Sequence, residues 1–172
     1  YNSDPKIFIE ELAGDAIKIL SDKSTPKEEK IKAIEKIALE NVDIKALGLY
    51  SLGGIRKTLE PDQLEKYNEL FKKYLLKSLT SRLSDYSSST LKVIEADQKS
   101  ATTTIVKSKI IGNDSQPEIK IDWRIYTKNP DKPLIRDLIV EGLSLARTQK
   151  EEFNSIIQNN NGDINALFKT LE

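Results

Sequence analysis

Much covalent chemistry near neutral pH uses an imidazole that exchanges protons there or a soft thiolate nucleophile, and the 172 residues of this chain include neither histidine nor cysteine. Without an imidazole, the Ser-His-Asp triad, the Cys-His pair, the HExxH zinc site and the histidine proton shuttle are all ruled out. Without a thiol there is no disulfide framework, thiolate nucleophile or cysteine zinc site. What remains is carboxylate acid/base work, a Ser-Lys pair, or an Asp/Glu site for Mg²⁺. Asp137 is the carboxylate that stands out, because it interrupts the apolar run Leu134–Val140 and an acid there needs a partner or solvent. A buried carboxylate beside tyrosines could enolise a carbonyl compound without histidine, as the Asp and Tyr groups of ketosteroid isomerase illustrate. The plainer reading pairs Asp137 with Arg124, Arg136 or Arg147, or has it face water at a sheet edge.

The short motifs carry less. Gly48 to Ile55 (GLYSLGGI) has the glycines of a phosphate loop, yet no Lys-Ser/Thr follows them and no strand precedes them. Gly142-Leu143-Ser144-Leu145-Ala146 starts like a nucleophile elbow, but Ala146 takes the place of the second glycine and no base is available. Ser144 is better read as a helix cap. Asn113-Asp114-Ser115 fits the glycosylation triplet, a match short enough to arise by chance.

Charge excludes another class. Lys plus Arg and Asp plus Glu number 27 each, so no net field draws in nucleic acid or an anionic bilayer from a distance. Runs such as Lys27-Glu28-Glu29-Lys30 are a solvated helix face. No apolar stretch approaches the ~20 residues of a membrane span, and no basic leader with an apolar centre is present. A chain beginning at Tyr1 rather than Met is expected to be a processed or trimmed one.

The elements that must position these residues change period along the chain. Asp4-Pro5 caps a first helix in which Phe8, Leu12, Ala16 and Leu20 recur at four-residue steps. Thr25-Pro26-Lys27-Glu28 reads as a capping box for a second helix bearing Ile31, Ile34, Ala38 and Val42. Asp43 caps a third that Gly53-Gly54 should end. Glu60-Pro61 opens the longest helix, with Leu64, Tyr67, Phe71, Leu75, Leu79 and Leu83 on one face to about Asp85, before Ser87-Ser88-Ser89 breaks the pattern. From Thr90 the period is two. Thr90–Ala96 and Ala101–Ile111 form a hairpin, Glu118–Thr127 alternates Ile119, Ile121, Trp123 and Ile125 with polar residues, and Leu134–Val140 is a fourth strand covered in part on both faces. Two helices follow, one capped by Ser144 with Phe153, Ile156 and Ile157, the other capped by Asp163 with Ile164, Leu167, Phe168 and Leu171. The expected fold is α+β, one domain over residues 1–172, with a four-stranded antiparallel twisted sheet packed against about six helices. Such stripes fit a filled core as well as a ligand cavity; they do specify an aliphatic interior with Asp137 as its one titratable group.

Several blocks together resemble a known family. Val140-Glu141-Gly142-Leu143-Ser144-Leu145, followed by Lys150 and Phe153, is similar to the "VEGVSL…R-x-x-F" ending of the MlaC/toluene-tolerance family of periplasmic phospholipid-binding proteins. Asp4-Pro5 with Phe8 resembles its start, Leu47-Gly48-Leu49-Tyr50 through Glu60 to Phe71 its "LG-x-Y/W…EQ…F…F" region, and Leu83 to Tyr86 its "L-x-x-Y" helix end. Two positions depart from the pattern. Lys150 stands where arginine is usual, and the tryptophan often found before the last strand is absent near Pro133-Leu134, with Trp123 on the preceding strand instead.

The resemblance implies a periplasmic carrier rather than an enzyme, with phospholipid as ligand and no cofactor or metal. Its implied partners are an inner-membrane MCE protein of an ABC lipid transporter and an outer-membrane lipoprotein-porin complex, and its implied role is to maintain outer-membrane lipid asymmetry. Exposing two tails of ~16 carbons costs more than ~20 kcal/mol at ~0.8 kcal/mol per CH₂, which is the barrier a protein cover removes. The tails are then expected between an apolar sheet face (Val106, Ile121, Trp123, Ile125, Leu138, Val140) and the helices (Leu52, Phe71, Leu75, Leu79, Tyr86), with Leu143 beside them and the headgroup in water. The readings that compete are a small histidine-independent isomerase or dehydratase using Asp137, and an interaction module with a solid core.

Overall fold

The computed structural model describes residues 1–83, 89–112, 115 and 117–172. Tyr86, the Ser87-Ser88 break and Asn113-Asp114 of the glycosylation triplet therefore lie outside the described residues. Six helices and a sheet alternate in the expected order: α1 (Pro5–Ser21), α2 (Lys27–Asn41), α3 (Ile44–Leu52) with a 3₁₀ turn at Gly53–Lys57, α4 (Pro61–Leu83), then β1 (Leu91–Gln98), β2 (Thr103–Ile110), β3 (Ile119–Tyr126), β4 (Leu134–Val140) and β5 (Leu143–Ser144), then α5 (Leu145–Gln158) and α6 (Ile164–Leu171).

The helix starts follow from caps. Asp4 accepts hydrogen bonds from the backbone N–H of Lys6 and Ile7 at 3.0 and 3.2 Å, and Asp43, Ser144 and Asp163 cap α3, α5 and α6 in the same way. The expected capping box at Thr25 does not form. Thr25 instead donates its hydroxyl to Asp22 at 2.6 Å, Ser24 does likewise, and these bonds hold the Asp22 carboxyl down at about 2. Pro26 becomes the N-cap of α2 with no side-chain bond, because a turn built on Asp22 has already taken the hydroxyl.

The sheet is antiparallel throughout, in the order β1-β2-β3-β4-β5, so among the described residues it has five strands where four were expected. The fifth is two residues long and folds back on the end of β4, pairing Leu143 with Val140 and Ser144 with Ile139. Glu141 and Gly142, both at positive φ (51° and 81°), make the turn between them, the conformation a two-residue hairpin demands. Two residues carry no alternation, which is why only the helix cap at Ser144 was readable there.

One face of the sheet is apolar. Val106, Ile125 and Ile135 are buried on it against Phe8, Ile9 and Leu12 of α1, with Ile37 of α2 and Val42 alongside. A bulge opposite Arg124 and Ile125 lets Ile135 and Leu138 both face this side although three positions separate them. That bulge is the physical reason β4 alternates loosely. A second apolar core lies away from the first, among α3, α4, α5 and α6, built from Leu52, Tyr67, Phe71, Phe153, Ile157 and the buried face of α6. The junction of α2 and α3 ties the helices to β4 through a parallel bridge between Val42 and Ile135 and a 2.9 Å bond from Asp43 N–H to Ile135 C=O.

Candidate functional site

The inner sheet face is apolar, and strand register fixes which residues share it. Val106 lies opposite Trp123, Ser108 opposite Ile121, and Ile110 opposite Ile119, while β4 adds Leu138 beside Trp123 and Val140 beside Ile121. At one end of this face Val106 and Ile125 are fully enclosed by α1 and their own neighbours. Toward the other end Ile110, Ile119, Ile121, Leu138 and Val140 are only half-buried. Five aliphatic side chains in one patch, each with surface still uncovered, are a surface that gains by taking up further apolar matter.

Polar groups on that face are satisfied within the protein. The Trp123 indole N–H donates to Ser108 Oγ at 2.9 Å, and the Ser108 hydroxyl donates to the Ile121 carbonyl at 2.6 Å. Ser108 itself is buried. The relay ends on backbone, so neither side chain asks a ligand for a hydrogen bond and Trp123 presents an essentially hydrocarbon ring.

Three of the helical residues expected in the same lining, Leu52, Phe71 and Leu75, fall into the other core. Leu52 and Phe71 are buried among Tyr67, Phe153 and Leu167, with the Phe71 ring stacked on Tyr67 at 5.8 Å and meeting Phe153 edge-on at 6.1 Å. Leu75 packs half-buried against this cluster, and Leu79 is half-buried one turn further along α4. The structure thus joins Val106, Trp123 and Ile125 in the sheet core and Leu52, Phe71 and Leu75 in the helical core, with Ile121, Leu138, Val140 and Leu79 partly uncovered. Leu143 stands apart on β5, 59% exposed. Tyr86 lies outside the described residues. Ile110 and Ile119 were missed in naming the lining. Ile119 was already visible in the alternation of its strand, whereas Ile110 needed the register of β2 with β3.

Asp137 does something other than either sequence reading supposed. It pairs with none of Arg124, Arg136 and Arg147. Its carboxylate, 8% exposed, accepts a bond from the Ser144 hydroxyl, from Leu138 N–H at 2.8 Å and from Ala146 N–H at 3.0 Å. It is anchored to the first turn of α5, where the helix dipole favours negative charge. Arg136 turns instead to Asp43, 3.0 Å away, and lies over the Tyr126 ring at 3.5 Å. Among the described residues no group of three acidic side chains is placed to hold a metal ion, and no helix is long and apolar enough to cross a membrane.

The family model described as "MlaC protein" matches residues 10–172 of this chain. Among solved structures, the phospholipid-binding protein from Ralstonia solanacearum, determined in complex with a phospholipid, superposes with a TM-score of 0.78 at 17% identity, over 99% of this chain and 95% of that one. At that identity the likeness establishes the fold. No curated protein matches the chain.

Proposed function

Because this chain belongs to the MlaC family, we propose that it is a phospholipid carrier whose acyl tails lie on the open end of the inner sheet face, against Ile110, Ile119, Ile121, Leu138 and Val140, with the second half of α4 around Leu79 as the opposite wall. The observation that carries this reading is the half-buried state of those aliphatic side chains on a face whose polar groups are already paired internally. Family membership and the ligand of the Ralstonia solanacearum neighbour support binding and transport of phospholipid over catalysis.

In this proposal the carrier shuttles lipid across the periplasm between the outer and inner membranes, meeting an outer-membrane lipoprotein-porin complex on one side and an inner-membrane MCE protein of an ABC transporter on the other. The headgroup stays in water, so headgroup selectivity is low. The interior has only to rival a bilayer in apolarity, since a carrier that held lipid far more tightly than donor and acceptor would never unload.

Organic extraction of the purified protein followed by mass spectrometry is the test. The wild type is expected to release two-tailed phospholipid near one equivalent, and Ile121→Asp or Leu79→Asp to release little while keeping wild-type helix content by circular dichroism. An empty wild type, or folded variants that remain fully loaded, would overturn the placement.

A further inference from the structure

The opposite side of the sheet holds a second, chemically different cleft. It has a volume of about 280 Å³ and lies between α3, the back of β3 and β4, and the start of α5. Three arginines line it, Arg124, Arg136 and Arg147, together with the Asp137 carboxylate and the rings of Tyr50 and Tyr126. Arg136 is fixed by Asp43 and by Tyr126, as described above. Arg124 is solvent-exposed and makes no hydrogen bond or ion pair among the described residues, although it lies directly across the strand pair from Asp137. The bonds to α5 have used that carboxylate, and they have used the helix's own first-turn donors too: Ala146 N–H goes to Asp137 and Arg147 N–H to Ser144 Oγ at 3.1 Å. Among the described residues the Arg147 guanidinium pairs only with Glu151, through a solvent-exposed pair at 3.4 Å that contributes little.

We propose that this cleft binds a phosphate-type oxyanion, with Arg124 and Arg147 as the donors that turn onto it and Arg136, already paired with Asp43, as a fixed wall. The planar guanidinium fork matches tetrahedral and planar oxyanions in a bidentate way that a lysine does not. The volume lies just under the ~300–1,000 Å³ typical of drug-sized ligand sites, which suits a single phosphoryl group with a small substituent. Tyr50, 42% exposed with Lys150 Nζ held 5.1 Å above its ring, gives the cleft an aromatic rim beside a further cation. The site is separate from the apolar face and does not depend on the lipid reading. Its phosphate can come from solution or from a glycerophospho headgroup.

The test is a titration of the full chain with inorganic phosphate at constant ionic strength, followed by amide NMR and calorimetry, then repeated with glycerophosphoethanolamine. Saturable shifts at Ser144, Arg147 and the neighbours of Arg124 are expected, and Arg124→Gln should weaken binding by about tenfold, as loss of a charge-assisted donor does. Arg124→Lys should recover only part of it. Tighter binding of glycerophosphoethanolamine assigns the site to a lipid headgroup, and equal or weaker binding assigns it to free phosphate. Shifts that chloride reproduces at the same ionic strength, affinity untouched by Arg124→Gln, or binding of an Asp/Glu peptide but of neither phosphate compound would overturn the proposal.

Discussion

Asp137 shows how a single residue can be noticed for one reason and work by another. An acid on an apolar strand suggested an ion pair or a catalytic base, since charge and burial are all that a sequence displays. The structure spends the carboxylate on two backbone N–H groups and the Ser144 hydroxyl, so that β4 grips the first turn of α5. Sequence could not reveal this, because the β4–β5 turn at Glu141-Gly142 is what brings Ser144 and Ala146 back over Asp137. The consequence is measurable. Asp137→Ala leaves a buried N–H at Ala146 without its charged acceptor and should cost on the order of 2–3 kcal/mol in urea denaturation, with Asp137→Asn in between because one acceptor oxygen remains. A loss below about 0.5 kcal/mol for the alanine variant, the range of ordinary surface changes, would mean that the contact holds nothing.

At the scale of elements, what was legible is what depends on local chemistry. The caps at Asp4, Asp43, Ser144 and Asp163 and the alternation of β3 each involve residues within one or two turns of each other, and all are present. What depended on distant partners was not legible: the bulge in β4, the two-residue β5, and the separation of Leu52 and Phe71 from the sheet face. The pairing of α3 with α4 is such a contact. Gly48 allows it, since a Cβ there would sit 2.7 Å from Phe71 Cδ1, and the Tyr67 hydroxyl donates to the Gly48 carbonyl at 2.6 Å. Burial holds the Tyr67 phenol well above its usual range, so it stays a donor. Alanine is ordinarily the better helix former by about 1 kcal/mol, yet here the Phe71 ring is held between Tyr67 and Phe153 and has nowhere to move. Gly48→Ala should therefore lose about 1–3 kcal/mol net, as overpacked cores do. Thermal unfolding of Gly48→Ala beside Gly14→Ala is the measurement, because Gly14 has no atom within 4 Å of its missing Cβ and should gain where Gly48 loses.

The molecule as a whole consists of two apolar cores that share no buried residue, one between the sheet and α1 and one among α3 to α6, linked where β4 meets the α2–α3 junction and α5. A solid-core protein gains by merging such clusters, since every apolar surface left between them forfeits about 25 cal/mol per Å². Ile121, Val140 and Leu79 are half-buried and leave such surface, which the proposed tails would cover. A lipid that touches Ile121 and Val140 on one side and Leu79 on the other then acts as part of both cores, and its binding free energy becomes stability of each. Hydrogen exchange on delipidated and reloaded protein should accordingly show slower exchange in β3, β4 and the second half of α4 together when lipid is present. If protection rises in the strands alone, the tails lie on the sheet without touching α4, and Leu79 has no part in holding them.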